Sequence, residues 1–153
     1  MLDDTAQRLN ERFLRQIPMT RHMALEITSW DGRTLRMDAP LSPNINDKGT
    51  GFAGSLATLA TFSCWALATL LAERAVGVDC EAAVFESDIR YLAPIRGDFY
   101  VLVAVPERDA VHAFDKALKK KGRARLTLSA SIFEQGDEKV RYRGRYAVRM
   151  RNI

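Results

Sequence analysis

From Gly49 to Ala72 the chain carries no charged residue, and no other stretch of its 153 residues runs as far without one. Such a segment either crosses a bilayer or is covered by the rest of the fold. The loop in front of it, "NINDKGTGFAGS" at 44–55, sets Asn44, Asn46, Asp47 and Lys48 before three close glycines, Gly49, Gly51 and Gly54. A loop this polar and flexible is either punctuation before a core helix or the builder of a site at that helix's N-terminus.

Neighbouring segments argue for a covered helix. Threonines and serines interrupt the run, its first turns are polar, and strand-like segments of alternating polarity surround it. At 47% apolar and 27% charged residues, the chain suits one globular domain large enough to bury a core. We therefore expect one buried helix from about Ala53 to Val76, ended by Gly77. At 100° per residue, Leu56, Leu59, Ala66, Leu67 and Leu70 share one arc, with Ser63 inside it and free to back-bond one turn up the helix. Ala57, Thr58, Thr61, Cys64, Trp65 and Ala68 populate the other side, so the helix is buried twice, the second time by a subunit or a ligand.

The remaining elements follow from periodicity. Leu9, Phe13, Leu14 and Ile17 predict an N-terminal helix over about 3–16, with Asp3 or Asp4 as its cap and Pro18 as its end. Leu25 and Ile27, then Leu35, Met37 and Ala39, alternate around Asp31-Gly32, a hairpin signal. Four further strands follow the central helix. In the first, Phe85, Ile89 and Tyr91 are expected on one face, with Glu86, Asp88 and Arg90 on the other. "DFYVLVAVP" is apolar on both faces, as a central strand is. A short helix or irregular crossover, "DAVHAFDKALKKKG", precedes two cleanly alternating strands joined through "EQGDE". The class is α+β, a single domain over 1–153 with neither repeat nor linker.

The net charge of +4 is compatible with an anionic small ligand and does not by itself imply nucleic acid. Lys119, Lys120, Lys121, Arg123 and Arg125 lead into Arg141, Arg143, Arg145, Arg149 and Arg151, with the strand arginines on the odd-numbered, solvated face. No aromatic set is interleaved among them, which weighs against nucleic acid. Cys64 and Cys80 make neither a disulfide framework nor a metal site, so no metal or cofactor is expected, and a buried reduced Cys64 fits the cytoplasm. The start of the chain is acidic and lacks the apolar core of a signal peptide.

The element order and the motif N-x-N-D-K-G-T-x-F-A-G-S-L, from Asn44 to Leu56, resemble the thioesterase family named for the C-terminal domain of the YiiD acetyltransferase, a hot-dog fold. Tyr91-Leu92-Ala93-Pro94 and Gly97-Asp98 echo the strand-to-strand step of hot-dog thioesterases. The resemblance implies a curved antiparallel sheet around a long helix, and subunits paired as a homodimer or dimer of dimers with sites at the interface. It also implies hydrolysis of an acyl thioester, acyl-CoA or an acyl-carrier thioester, with no membrane and no nucleic acid as partner. Asn46, Asp47, Gly54 and Thr61 then fall at catalytic positions, and Phe52, Ser55, Thr58 and Trp65 beside the substrate. Arg123 and Arg125 would meet the phosphates of CoA. The chemistry is sound on its own terms, because free N–H groups at a helix start are donors for a developing oxyanion.

Two departures bear on mechanism. Phe52 stands where the wider hot-dog pattern has histidine, and Thr61 where many relatives carry an acid. A threonine orients water but is no general base near neutral pH, which leaves Asp47, Glu86 and Asp88 as the nearby acids. A non-catalytic acyl-binding module is the alternative. A hydratase is disfavoured because His22 and His112 lie outside the motif.

Overall fold

A computed structural model describes residues 4–151. Helix α1 (Asp4–Leu9) runs into π-helical turns at Asn10–Leu14 and stays helical to residue 16, much as the periodicity implies; Asp3, one of the two candidate caps, lies outside the described residues. A short helix α2 (Met19–His22) leads to the hairpin of β1 (Glu26–Trp30) and β2 (Thr34–Ala39). Asp31 makes that turn by accepting hydrogen bonds from the amides of Arg33 and Thr34, at 2.8 and 2.7 Å, while Gly32 takes a φ of +89°.

The uncharged run is helix α3 (Ala53–Val76), closed by Gly77 in the left-handed region, φ 70°, its amide donating to the carbonyl of Glu73. Long and apolar enough to cross a bilayer, α3 nevertheless has 67% of its most apolar window buried inside the fold. It is a core helix. Strands β3 (Cys80–Tyr91), β4 (Phe99–Ala104), β5 (Arg123–Glu134) and β6 (Asp137–Met150) follow, with helix α4 (Arg108–Lys121) between β4 and β5. All six strands form one antiparallel sheet in the order β1-β2-β4-β5-β6-β3. The sheet packs its apolar face on α3, which is the hot-dog arrangement.

Alternation placed the core correctly on most strands. Ile27, Leu35, Met37, Leu126, Leu128, Ile132, Tyr146 and Val148 are all buried beneath α3. Leu56, Leu59, Ala66 and Leu67 of the leucine arc are buried too, with Leu70 only partly so. Ser63 donates to the carbonyl of Ala60 at 2.9 Å. On the other side, Cys64 and Ala68 are fully covered, leaving a narrower stripe of Ala57, Thr58, Thr61 and Trp65 half-buried.

Two expectations need correction. The segment before β5 is a regular helix of 14 residues, seated by Phe114 and Leu118 and capped by Gly122. Phe85 does not share a face with Ile89 and Tyr91. Val84 pairs with Tyr146 but Glu86 with Arg145, so Phe85 is an extra residue in a β-bulge. The bulge turns Phe85 to the solvated face, where Arg125 and Arg145 each sit 5.0 Å from its ring centre.

Gly144 on β6 lies under the side chains of Tyr142 and Tyr146, whose hydroxyls are hydrogen-bonded at 2.9 Å. A Cβ there would come within 2.5 Å of Tyr142 Oη and 2.7 Å of Tyr146 Cε1. Gly144→Ala should therefore force both buried rings aside and cost about 1–3 kcal/mol as an overpacked core. A lowered denaturant midpoint with unchanged slope is the expected result.

Candidate active site

The glycine loop is organised by one side chain. Asn46 accepts at Oδ1 from the amides of Lys48 and Thr50, at 2.9 and 3.0 Å, and donates from Nδ2 to Thr50 Oγ1 at 2.8 Å and the Gly51 carbonyl at 3.4 Å. Its backbone amide adds a bond to the Thr50 carbonyl. Such a residue holds the loop; its side chain has no donor or acceptor left over for water or substrate. Gly51 donates to the Ile95 carbonyl at 2.8 Å, with Ile95 Cβ only 3.3 Å from where a side chain would begin. Phe52 donates to the Asn44 carbonyl. The chain is thus delivered into α3 along a fixed path.

No side chain caps α3 at Phe52, so the amides of Ala53, Gly54 and Ser55 have no acceptor among the described residues. These are the donors the motif promised. Phe52, 53% exposed, lays its ring over Gly54, and a Cβ at position 54 would meet that ring at 2.5 Å. Gly54 is required by Phe52 as much as by any substrate. Tyr91, at the end of β3, reaches the same place, its hydroxyl donating to the Ala53 carbonyl at 3.4 Å.

From this point a groove of about 380 Å³ runs along α3, lined by Ala57, Thr58, Thr61, Phe62, Trp65, Val84, Tyr146 and Ile17. Thr58 uses its hydroxyl on the Gly54 carbonyl at 2.8 Å, and Thr69 makes the equivalent bond further along. Thr61 makes no such bond: its hydroxyl has no partner among the described residues. Its carbonyl instead accepts from Tyr146 Oη at 2.8 Å, and Tyr142 Oη lies 2.9 Å from that same oxygen. Burial, with Cys64 and Tyr142 alongside, pushes the Tyr146 phenol up, so it stays neutral. Burial likewise pushes the Cys64 thiol up to about 12, against opposing hydrogen bonds from Ser63 and Tyr146.

Of the expected site residues, Thr58, Thr61 and Trp65 line the groove, while Asn46, Phe52 and Gly54 lie in the loop and first turn that lead to it. Ser55 contributes a backbone amide, its side chain being buried. Asp47 sits at the loop tip, its side chain 82% exposed and paired with Lys48 at 3.0 Å. Glu86 and Asp88 stand on the solvated face of the sheet, opposite the groove, beside Arg143 and Arg145. Arg123 and Arg125 are not brought to the α3 N-terminus of their own subunit. They lie on that same outer face at the level of Glu81 and Ala83, roughly 25 Å along the strand from Tyr91 at about 3.3 Å per residue. Tyr146, Ile17 and Val84 were not foreseen in the groove. Tyr146 alone carried a signal, being a large polar-tipped residue on a strand's apolar face.

One long helix clasped by an antiparallel sheet is the hot-dog fold, here with bare amides at the helix start and an apolar groove one turn further on. Residues 6–150 match the family model described as "Putative thioesterase (yiiD_Cterm)", and the chain belongs to that family. A protein of unknown function from Chlorobaculum tepidum is 32% identical, with a TM-score of 0.86 over 95% of this chain and 94% of that one. A thioesterase-titled protein from Shewanella oneidensis is 28% identical, TM-score 0.82, over 95% and 98% of the two chains. One from Pseudomonas aeruginosa shares the fold at 21% identity and a TM-score of 0.79, over 98% of each.

Cys64 and Cys80 are both buried, with thiols raised by burial. Because the thiolate is the reactive form, neither should react with a disulfide reagent at pH 8 in the folded protein, and both should after denaturation. A rapidly titrating thiol in the folded state would reopen the case for a cysteine nucleophile.

Proposed function

We propose that this protein hydrolyses acyl thioesters, with acyl-CoA as substrate, at the N-terminus of α3. The observation that carries this reading is the bare set of amides at Ala53, Gly54 and Ser55, one helical turn before an apolar groove that begins at Ala57 and Thr58. The thioester carbonyl accepts from these amides, which are fixed in place by the Asn46 loop and strengthen as the oxygen becomes negative. Gly54 leaves room for the carbonyl once the Phe52 ring turns aside. Thr61, with its unengaged hydroxyl, orients the attacking water. The water's oxygen adds to the carbonyl carbon as Asp47 takes its proton, and the tetrahedral intermediate collapses with cleavage of the C–S bond. Asp47 hands that proton to the departing sulfur, so a carboxylic acid and a free thiol leave. We assign Asp47 because it rides on the loop that enters α3; to act it swings in from its exposed pairing with Lys48.

A second copy completes the substrate site in this reading. β3 is a 12-residue edge strand with Val84, Phe85 and Tyr91 exposed. Antiparallel pairing of two such edges covers them, forming a homodimer or the dimer half of a tetramer. It also brings Arg123 and Arg125 of one copy, on the outer face two strands in from the shared edge, to the level of the other copy's Tyr91, where CoA phosphates that pass around that edge find cations. The buried, unpaired thiols suit a cytoplasmic setting. A non-catalytic acyl-CoA-binding module remains the second reading, favoured by the lack of any acid in the groove lining.

A hydrolysis screen over short, medium, long and aromatic acyl-CoAs with thiol detection separates the two, since only an enzyme turns over. Thr61→Val should slow kcat on the order of tenfold or more, while stability moves by no more than about 1 kcal/mol. Unchanged kcat with lowered stability would make Thr61 structural. Light scattering at micromolar concentration should give a dimer or tetramer; a monodisperse monomer overturns the β3 pairing.

A further inference from the structure

We infer that the N-terminal arm makes this a medium-chain enzyme: Ile17 and Trp65 form a fixed end wall that stops the acyl chain. The inference rests on the thioesterase reading above and names the substrate that reading leaves open. The groove follows the axis of α3, so its length is read from the helix. From Gly54, where the carbonyl is held, to Trp65 the helix rises roughly 16 Å at about 1.5 Å per residue; the Trp65 ring leans back about one turn onto Phe62, which leaves roughly 11 Å, the reach of a medium acyl chain and well short of a palmitoyl chain.

Polarity grades along the same path. Bare amides and Thr58 lie at the carbonyl end, Thr61 in the middle, and Phe62, Trp65 and Ile17 at the far end. A thioester has this same order, a polar head followed by an apolar tail. Only one orientation matches both ends.

The end wall is rigid. Trp65 stacks on Phe62 with ring centres 5.5 Å apart and meets Phe13 of the arm edge-on at 5.3 Å. The arm is tied down on both sides of Ile17. Asn10 exchanges two hydrogen bonds with the backbone of Ile27, and Arg12 pairs through both terminal nitrogens with Glu73 near the end of α3. Beyond Ile17, Thr20 donates to the carbonyls of Ile17 and Leu14, at 2.6 and 3.1 Å. A wall held in this way does not yield to a longer chain as a mobile loop does, so each methylene past it stays in water and adds no binding energy.

The test compares kcat/KM on butyryl-, octanoyl- and palmitoyl-CoA, below their micelle concentrations, for the parent and three variants. The parent should prefer octanoyl-CoA. Trp65→Ala removes the wall and should raise the palmitoyl-to-octanoyl ratio on the order of tenfold, and Ile17→Ala should move it in the same direction by less. Ile17 is partly exposed, so its variant keeps the test open if Trp65→Ala fails to fold. Met19→Ala, 60% exposed on the same arm and outside the groove lining, should leave the ratio as it was. A parent that prefers palmitoyl-CoA, variants that turn over with an unmoved ratio, or a Met19 variant that shifts it like the others would each overturn the wall while leaving thioester hydrolysis intact. A parent inert on every thioester would overturn both readings.

Discussion

A helix with no charge between Ala53 and Ala72 has to be covered on nearly every side, and most of this molecule is that cover. Five strands bring their apolar alternates to it, α4 adds Phe114 and Leu118, and the arm adds Phe13. What is left over is one stripe, Ala57, Thr58, Thr61 and Trp65, together with the first three amides. The proposed site lies in the part of the helix the fold does not close. The burial of apolar area that builds the core is also what leaves that stripe open.

Two polar devices keep that remainder in register. Asn46 uses its whole side chain on the loop, so the backbone amides at the start of α3 are held at a fixed angle. The Tyr142–Tyr146 pair ties the sheet to the Thr61 turn through a main-chain carbonyl, across space that Gly144 leaves open. Loop and sheet therefore hold the first and third turns of one helix by independent means. The distance between the amides and Thr61 depends only on helix geometry.

The strands, the two hairpins and the long helix were legible because alternation, Asp31-Gly32 and an uncharged run are local signals, and local chemistry decided the outcome. Phe85 was misplaced because a period-two reading has no mark for an inserted residue; the insertion is a property of the pair β3–β6, visible only in register. The α4 helix was underread although Phe114 and Leu118 stand one turn apart, since a lysine-rich end weakens the apolar pattern. Arg123 and Arg125 were given the right face but could not be given the right height, which depends on how three strands align. Asn46 and Gly54 were singled out by the motif and Thr61 by the helical wheel, whereas Ile17 reaches the groove through tertiary packing that no spacing records.

The bulge at Phe85 has an effect on what else β3 can join. A long open edge with exposed apolar side chains is an invitation to any extended segment of any protein. The extra residue shifts the phase of β3 halfway along, so a regular strand that matches its pleat on one side of Phe85 is out of step on the other. One inserted residue thus narrows what can pair with the edge along its whole length and blunts a hazard for strand-by-strand aggregation.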